Sequence, residues 1–176
     1  HTCADINHAP SAFRYPRGAG LGLKINYPVK KLIIGKGKII QEGNDIAIIS
    51  YGARLPEVKL AAKKLESYEV SSTIADARFC KPLDKKLILE LYKNHKLLVT
   101  IEEGSIGGFG SHVSNFLINE QNALLKNTLI DCICLPDKFI DQDTPFNMYS
   151  IANMNSENIV IRILKKLNIK KNSIKV

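Results

Sequence analysis

The sequence contains no tryptophan, only 7% aromatic residues and only four cysteines in 176 positions. So few cysteines exclude a disulfide-rich miniprotein, and a chain of this length can bury a full core without disulfides or a metal. No apolar run approaches the roughly 20 residues that a membrane-spanning helix needs. The remaining composition, 45% hydrophobic and 24% charged, is that of an ordinary globular domain. Because residue 1 is His rather than Met, we expect the chain to be a piece of a longer polypeptide.

Arginine is also scarce, since only five of the 25 basic residues are Arg. The net charge is nevertheless +8, because the basic residues outnumber 17 acidic ones. A nucleic-acid-binding surface typically combines clustered Arg with aromatic residues, whereas the basic residues here are mostly lysines scattered along the chain. The sequence therefore predicts neither a nucleic-acid partner nor a membrane partner.

The cysteines indicate no metal site. Cys132 and Cys134 lie two positions apart in an apolar run, so on a strand they share a face and behave as small core residues. No Cys-x-x-Cys pair exists, and no His lies at zinc-finger spacing. We expect a reducing compartment and no bound metal.

Strand and helix patterns alternate from about residue 45 onward. Short apolar runs rich in β-branched residues predict strands, and amphipathic stretches between and after them predict helices. This order predicts an α/β domain with a mostly parallel open sheet and helices on both faces. The predicted strands are 45–51, 69–76, 96–102 and 129–135, and the predicted helices follow Leu55, Asp84 and Gly104, with a last one over 159–167.

The first 45 residues do not follow this alternation. Residues 12–15 have the pattern of a short strand that Pro16 ends, and residues 32–41 that of a hairpin. These patterns predict three parts: 1–18 as the last strand of a preceding domain, 19–42 as a linker, and 43–176 as the main domain.

The candidate functional residues follow predicted strands, where an open parallel sheet collects its ligands. Glu102 and Glu103 are adjacent on a strand and point to opposite faces, so we expect one buried acid and one exposed acid rather than a catalytic pair.

The glycine-rich segment 104–111 resembles a phosphate-binding loop, but Val113 stands where a dinucleotide fingerprint has its third glycine. Close packing against a strand or a partner subunit is the better interpretation of these glycines, and His112 is interpreted as a helix-surface or interface residue.

Arg14 and Arg17 are the strongest candidates for binding a ligand. A protein poor in Arg places two of them within four positions around Pro16. Arg is suited to a bidentate grip on phosphate or carboxylate. From the residues alone, a structural ion pair at a domain junction explains them equally well.

Four segments together resemble 1-deoxy-D-xylulose 5-phosphate synthases. They occur in that family's order and span about residues 10–141, and transketolases and 2-oxoacid dehydrogenase beta subunits match the first and last of them less well. The segments are FRYPRG at 13–18, DARFCKPLD at 76–84, VTIEEG with GGFGS at 99–111, and LPDKFI at 135–140.

The resemblance implies a thiamine-diphosphate enzyme of three domains that condenses pyruvate with D-glyceraldehyde 3-phosphate and releases carbon dioxide, supplying isoprenoid and thiamine biosynthesis. This chain corresponds to the transketolase C-terminal-like domain, with residues 1–18 as the last strand of the pyrimidine-binding domain. The family's thiamine diphosphate and magnesium motifs lie upstream, so no catalytic, cofactor-binding or metal-binding residue is expected here. The partners implied are the upstream domains and a second copy in a homodimer.

At the level of single residues, the resemblance assigns the substrate phosphate to Arg17 and a supporting role to Arg14. Arg78, Glu102 and Glu103 match family-typical positions that we interpret as structural. The chain departs from the family over residues 141–153, whose structure and role stay open.

Two other functions stay open. One is a 2-oxoacid dehydrogenase beta-type subunit, and the other is a non-catalytic binding or assembly module of the same fold. The expected location is the stroma of a plastid-like organelle if the source is eukaryotic, and the cytoplasm otherwise.

Overall fold

The computed structural model describes residues 1–16, 20, 22, 24, 27–120 and 127–169. After a short 3-10 turn at Cys3–Asp5, the elements follow one another along the chain. The strands are β1 Lys38–Gln41, β2 Ile46–Tyr51, β3 Ser72–Asp76, β4 Leu97–Glu102 and β5 Leu129–Ile133. The helices are α1 Leu55–Glu66, α2 Lys85–Asn94, α3 Phe109–Asn119, α4 Pro145–Ile151 and α5 Ser156–Lys166.

The five strands form one sheet in the order β1-β3-β2-β4-β5. Strands β3, β2, β4 and β5 are parallel, and β1 joins the outer side of β3 in the antiparallel direction. The alternating strand and helix pattern predicted this parallel arrangement, which is confirmed.

Helices cover both faces of the sheet, as the sequence predicts. Side chains of α1 and α5 pack with one face into a core that includes Ile48, Leu65 and Ile163. Side chains of α2 and α3 pack with the other face around Ile49, Leu91 and Phe109. The central strands β2 and β4 are buried along almost their whole length, because both of their faces are covered.

The hairpin predicted over residues 32–41 is wrong. Residues 33–36 make a tight turn, closed by the Lys36 N–H donating to the Ile33 carbonyl at 3.1 Å, and β1 then pairs with β3. The turn is fixed from outside, since Asp84 accepts hydrogen bonds from the Gly37 N–H at 3.1 Å and from Lys36 at 3.2 Å. The local turn pattern was present, but the strand that pairs with β1 is distant in sequence, since Lys38 pairs with Asp76.

Two further segments bear on the predictions. Residues 12–15 join no strand ladder in the described parts of the chain, so their pairing with an upstream sheet stays a prediction. Within residues 141–153, whose structure the sequence left open, Pro145–Ile151 forms α4, and the Thr144 side chain accepts a hydrogen bond from the Asn147 N–H at 3.3 Å at its start. No helix in the described ranges is long and apolar enough to cross a membrane.

Candidate functional site at the carboxyl edge of the sheet

The carboxyl ends of β3, β2 and β4 lie side by side and bring three candidate segments together. Ser50 of β2 is opposite Asp76 of β3, and Tyr51 is opposite Glu102 of β4. The segments after these strands therefore share one edge, where an open parallel sheet gathers its ligands. We call this the carboxyl edge.

Arg14 reaches the carboxyl edge from the N-terminal segment. The carbon of its guanidinium lies 5.7 Å from the centre of the Tyr51 ring, which is itself stacked on Phe109 at 5.2 Å. A guanidinium over an aromatic face is attracted by the electron density of the ring. Arg17 lies outside the described residues, so its predicted role in phosphate binding stays a prediction.

Arg78 follows β3 in a strained backbone conformation. Its φ is +57°, in the left-handed region that a side chain with a Cβ seldom adopts. Its N–H donates to Oδ1 of Asp76 at 3.1 Å, and its guanidinium Nε lies 3.5 Å from Oδ2 of the same residue. Strain of this kind is concentrated at functional sites, where surrounding contacts hold the residue in place. Sequence reasoning interpreted Arg78 as structural, and only the backbone angle singles it out.

Glu102 fills the space beneath the glycine-rich segment. The residue is only 3% exposed, and its Oε1 accepts a hydrogen bond from the Gly110 N–H at 2.9 Å. Its carboxylate lies so close to Gly104 and Gly108 that a Cβ on either glycine would overlap it. The carboxylate thus occupies the start of α3, where a phosphate would otherwise meet free N–H groups and the positive end of the helix dipole.

Close packing also explains Gly110, as the sequence predicts. A Cβ there would lie 2.7 Å from Oγ1 of Thr100 and 3.1 Å from Sγ of Cys132, which belong to β4 and β5. Gly104, Gly108 and Gly110 therefore serve close packing against residues of β4 and β5, whereas Gly107 has open space around its Cβ position and a φ of +100°, so its requirement is for the backbone angle. Of the two acids, Glu102 is buried as predicted, whereas Glu103, which was predicted to be exposed, is half-buried with its side chain 21% exposed.

Glu103 belongs to a cluster that the sequence did not reveal. It forms an ion pair with Arg54 at 2.7 Å, and the guanidinium carbon of Arg54 lies over the ring of Tyr149, 3.5 Å from its centre. Burial and the neighbouring Glu103 raise the pKa of the Tyr149 hydroxyl. The cluster ties α4 to the ends of β4 and β2, so the segment 141–153 is anchored at the carboxyl edge.

The thiols at this edge are poor nucleophiles. Burial raises the pKa of Cys80, and the negative charge of Glu102 adds to the effect, while Arg14 partly opposes it. Burial and Glu102 likewise raise the pKa of Cys134. A thiol with a raised pKa stays protonated at neutral pH and reacts slowly.

The described residues place no catalytic pair at the carboxyl edge. His112 lies one turn into α3, and His95, whose ring is hydrogen-bonded to the Leu91 carbonyl and to Thr73, lies at the opposite end of the sheet. In the described parts of the chain, no three His, Cys, Asp or Glu side chains converge in a way that could hold a metal ion. Among the described residues, the charged side chains that the carboxyl edge brings together are Arg14, Arg78 and Arg54 with the acids Asp76, Glu102 and Glu103.

Comparison with known proteins gives a consistent result. The profile of the transketolase C-terminal domain matches residues 35–159. Among solved structures, a split-gene transketolase described as an inactive beta4 tetramer is 26% identical, with a TM-score of 0.71 over 85% of this chain and 48% of that one.

More distant transketolases share the fold. The enzyme of Campylobacter jejuni is 12% identical, with a TM-score of 0.56 over 80% of this chain and 20% of that one. The enzyme of Pichia stipitis, solved with sedoheptulose 7-phosphate, is 13% identical, with a TM-score of 0.53 over 76% of this chain and 18% of that one. The chain thus spans about half of the first relative and about a fifth of the others. The match over most of its length shows that it belongs to the transketolase C-terminal domain family.

Proposed function

We propose that this chain is the C-terminal part of a 1-deoxy-D-xylulose 5-phosphate synthase, which joins pyruvate to D-glyceraldehyde 3-phosphate and releases carbon dioxide. The observation that carries the proposal is the segment Arg14-Tyr15-Pro16-Arg17-Gly18, whose first arginine lies at the carboxyl edge over Tyr51. The order of the matching segments along residues 10–141 supports it. The domain's part in the reaction is to bind the substrate phosphate, with Arg17 as the main ligand and Arg14 in support.

We add Arg78 to the proposed phosphate ligands. Arg78 follows β3 at the same edge as Arg14, two positions before Cys80, and the charge of Arg14 partly opposes the rise that burial causes in the pKa of the Cys80 thiol. The strained backbone of Arg78 fits a side chain held ready for a ligand. A fixed pair of guanidinium groups is suited to a phosphate, because each offers planar, charge-assisted hydrogen bonds.

Thiamine diphosphate and magnesium are the cofactors that this function requires. The described residues do not fit them, because Glu102 fills the glycine-lined start of α3 with a negative charge and no acidic cluster is present in the described ranges. We therefore assign both cofactors to upstream domains of the intact protein. The partners proposed are those domains and a second copy of the chain.

The test is an assay of the intact protein with the substrates of each candidate reaction. Pyruvate labelled at its carboxyl carbon is supplied with D-glyceraldehyde 3-phosphate, and labelled carbon dioxide and 1-deoxy-D-xylulose 5-phosphate are followed by NMR. We expect both products to form at equal rates.

Two outcomes would contradict the proposal. Transfer of a two-carbon unit from xylulose 5-phosphate to ribose 5-phosphate, without use of pyruvate, would identify a transketolase. Decarboxylation of pyruvate that depends on a lipoyl carrier would identify a 2-oxoacid dehydrogenase subunit.

A further inference from the structure

The amino ends of the parallel strands carry a second feature, on the opposite side of the sheet from the carboxyl edge. Two adjoining grooves lie there, of about 600 and 740 Å³, and they share Leu129, Lys166 and Asn168. We call the two together the basic groove. It is lined by Asn44, Lys93, Asn94, His95, Lys96, Asn127, Thr128, Leu129, Asn153, Asn158, Ile161, Arg162, Lys165, Lys166, Leu167 and Asn168.

The lining of the basic groove is positive. Among the residues that the structure describes, it contains five Lys and Arg side chains and no Asp or Glu. Two acids lie next to it and offset part of the charge, since Asp45 is paired with Lys96 at 3.1 Å and Asp131 with Arg162 at 2.6 Å. Lys165 has no ion-pair partner among the described residues. The groove therefore retains a net positive charge.

Apolar side chains are exposed in the same place. Ile161 is 45% exposed on the outer side of α5, and Leu129 is 46% exposed at the start of β5. Both line the 740 Å³ part of the groove, among Lys165, Arg162 and amide side chains. Two apolar anchors surrounded by cations and amides fit a ligand that is itself both apolar and acidic.

The open backbone of β5 borders the groove. β5 lies at the end of the strand order, and the Leu129 N–H donates to the Lys96 carbonyl at 3.0 Å. Because backbone groups alternate along a strand, those of Ile130 and Cys132 point away from β4. Arg162 donates to the Cys132 carbonyl at 3.1 Å, so this carbonyl already has a partner. The N–H and C=O of Ile130 still face outward. An extended segment is the ligand that such an edge accepts.

We propose that the basic groove binds an extended acidic segment of a partner protein, with apolar residues between its carboxylates. Charge complementarity and the apolar pair Leu129 and Ile161 favour this occupant. A single-stranded nucleic acid is disfavoured, because no Phe, Tyr or Trp lines the groove to stack on bases. The upstream part of the same polypeptide is also disfavoured, because Arg14 brings the N-terminal segment to the opposite edge.

The test uses the intact protein and a fluorescein-labelled short peptide of alternating glutamate and valine. Binding is measured by fluorescence anisotropy at low and high salt, beside a lysine–valine peptide and a uridine oligonucleotide of the same length. We expect saturable binding of the glutamate peptide alone, weakening as salt rises.

Two variants locate the binding. Lys165→Glu should weaken binding by about two- to fivefold, the upper part of the range of an exposed charge pair, and Ile161→Asn should weaken it at high salt as well. Both positions are exposed, so the fold is retained. Lys86→Glu, an exposed lysine of α2 on the other face of the sheet, is the matched control and should bind like the parent.

The proposal is overturned if the glutamate peptide does not bind, or if the lysine peptide binds as tightly. Tighter binding of the uridine oligonucleotide would make the groove a nucleic-acid site instead. Loss of self-association in Lys165→Glu without any peptide binding would assign the groove to a second copy of this chain. An equal loss of binding in Lys86→Glu would also overturn the proposal, because binding would then depend only on the net charge of the protein.

Discussion

Single residues at the start of α3 show how tightly the carboxyl edge is packed. Gly108 has a φ of −80°, which any residue adopts, so its requirement is for space rather than for a special backbone angle. The space is taken by the Glu102 carboxylate, which is only 3% exposed and cannot move away into solvent.

Gly108→Ala is therefore expected to destabilise the domain. The added methyl group overlaps the Glu102 carboxylate, and overpacking of this kind costs about 1–3 kcal/mol in the free energy of unfolding. Urea denaturation measures it. Gly20→Ala is the control, because a Cβ there meets nothing within 4 Å. Equal stability of both variants would mean that the carboxylate is not held where the structure places it.

A single substitution at Arg78 distinguishes a role in phosphate binding from a role in the stability of the fold. Arg78→Gly removes the guanidinium and relieves the positive φ of +57°, so the free energy of unfolding should stay within about 1 kcal/mol of the parent. If Arg78 binds phosphate, the KM for D-glyceraldehyde 3-phosphate in the intact enzyme rises roughly tenfold or more.

Glu69→Gly is the matched control for this experiment. Glu69 has the same φ of +57° and a charged side chain, but it lies in the turn after α1, away from the carboxyl edge. Glu69→Gly should leave the KM for D-glyceraldehyde 3-phosphate and the KM for pyruvate unchanged. A lower stability of Arg78→Gly with an unchanged KM would return Arg78 to a structural role.

At the scale of elements, Asp84 connects the segment before β1 to the start of α2. Its carboxylate accepts from the Leu87 N–H at 3.2 Å as an N-cap, and also from the Gly37 N–H at 3.1 Å. Burial alone would raise the pKa of Asp84, but these hydrogen bonds and the one from Lys36 outweigh it, so the pKa is lowered below its usual range. The charged form is the one that stabilises the fold.

Asp84→Ala is expected to cost about 1–2 kcal/mol at neutral pH, the usual effect of losing an N-cap. Because the pKa of Asp84 is lower in the folded chain, its contribution is complete above the unfolded pKa of about 3.9 and is lost as pH falls through the folded pKa. The difference in denaturation midpoint between the parent and Asp84→Ala should therefore shrink as the pH falls into the acid range.

The control for the pH effect is Asn155→Ala, which removes an N-cap without removing a charge. The Asn155 side chain accepts from the Asn158 N–H at 3.0 Å. Its loss should destabilise the fold by an amount that does not vary in the acid range. A constant gap for Asp84→Ala as well would show that its charge contributes nothing.

The elements predicted correctly are those whose signals are local. The apolar run at Ile46–Tyr51 and the capping residue Asp84 each fix an element within a few neighbouring positions. The partner of β1 and the cluster of Arg54, Glu103 and Tyr149 depend on residues distant in sequence, so no local pattern reveals them. The same holds for the positive φ of Arg78, which the surrounding fold imposes.

The candidate site was recovered only in part for a similar reason. The scarcity of Arg drew attention to Arg14, and the structure places it at the carboxyl edge. The packing interpretation is confirmed for Gly104, Gly108 and Gly110 and is wrong for Gly107, and Glu102, against which the first two pack, could be named only once β4 and α3 were placed together.

At the scale of the whole molecule, the N-terminal segment presents two exposed aromatic rings, since Phe13 and Tyr15 are 72% and 79% exposed. Under the proposed function we infer that these rings pack against an upstream domain. Arg17 follows them, so we propose that its guanidinium enters an active site built mainly by upstream residues.

Arg17→Ala in the intact enzyme should raise the KM for D-glyceraldehyde 3-phosphate roughly 10- to 150-fold, the value of a charge-assisted contact of about 1.5–3 kcal/mol. The KM for pyruvate, which carries no phosphate, should hardly change. Arg17→Lys should recover part of the loss, since it keeps the charge but not the planar fork. A parallel rise of both KM values would instead show that Arg17 holds the domains together.

Glu102 has a consequence for how such an enzyme evolves. The start of α3 attracts anions, and the chain satisfies it with a carboxylate from the preceding strand, at 2.9 Å from the Gly110 N–H. This internal counter-ion occupies the position that a phosphate would otherwise take at the start of the helix. Under the proposed function, specificity then rests with arginines outside the core, which evolution can exchange without rebuilding it.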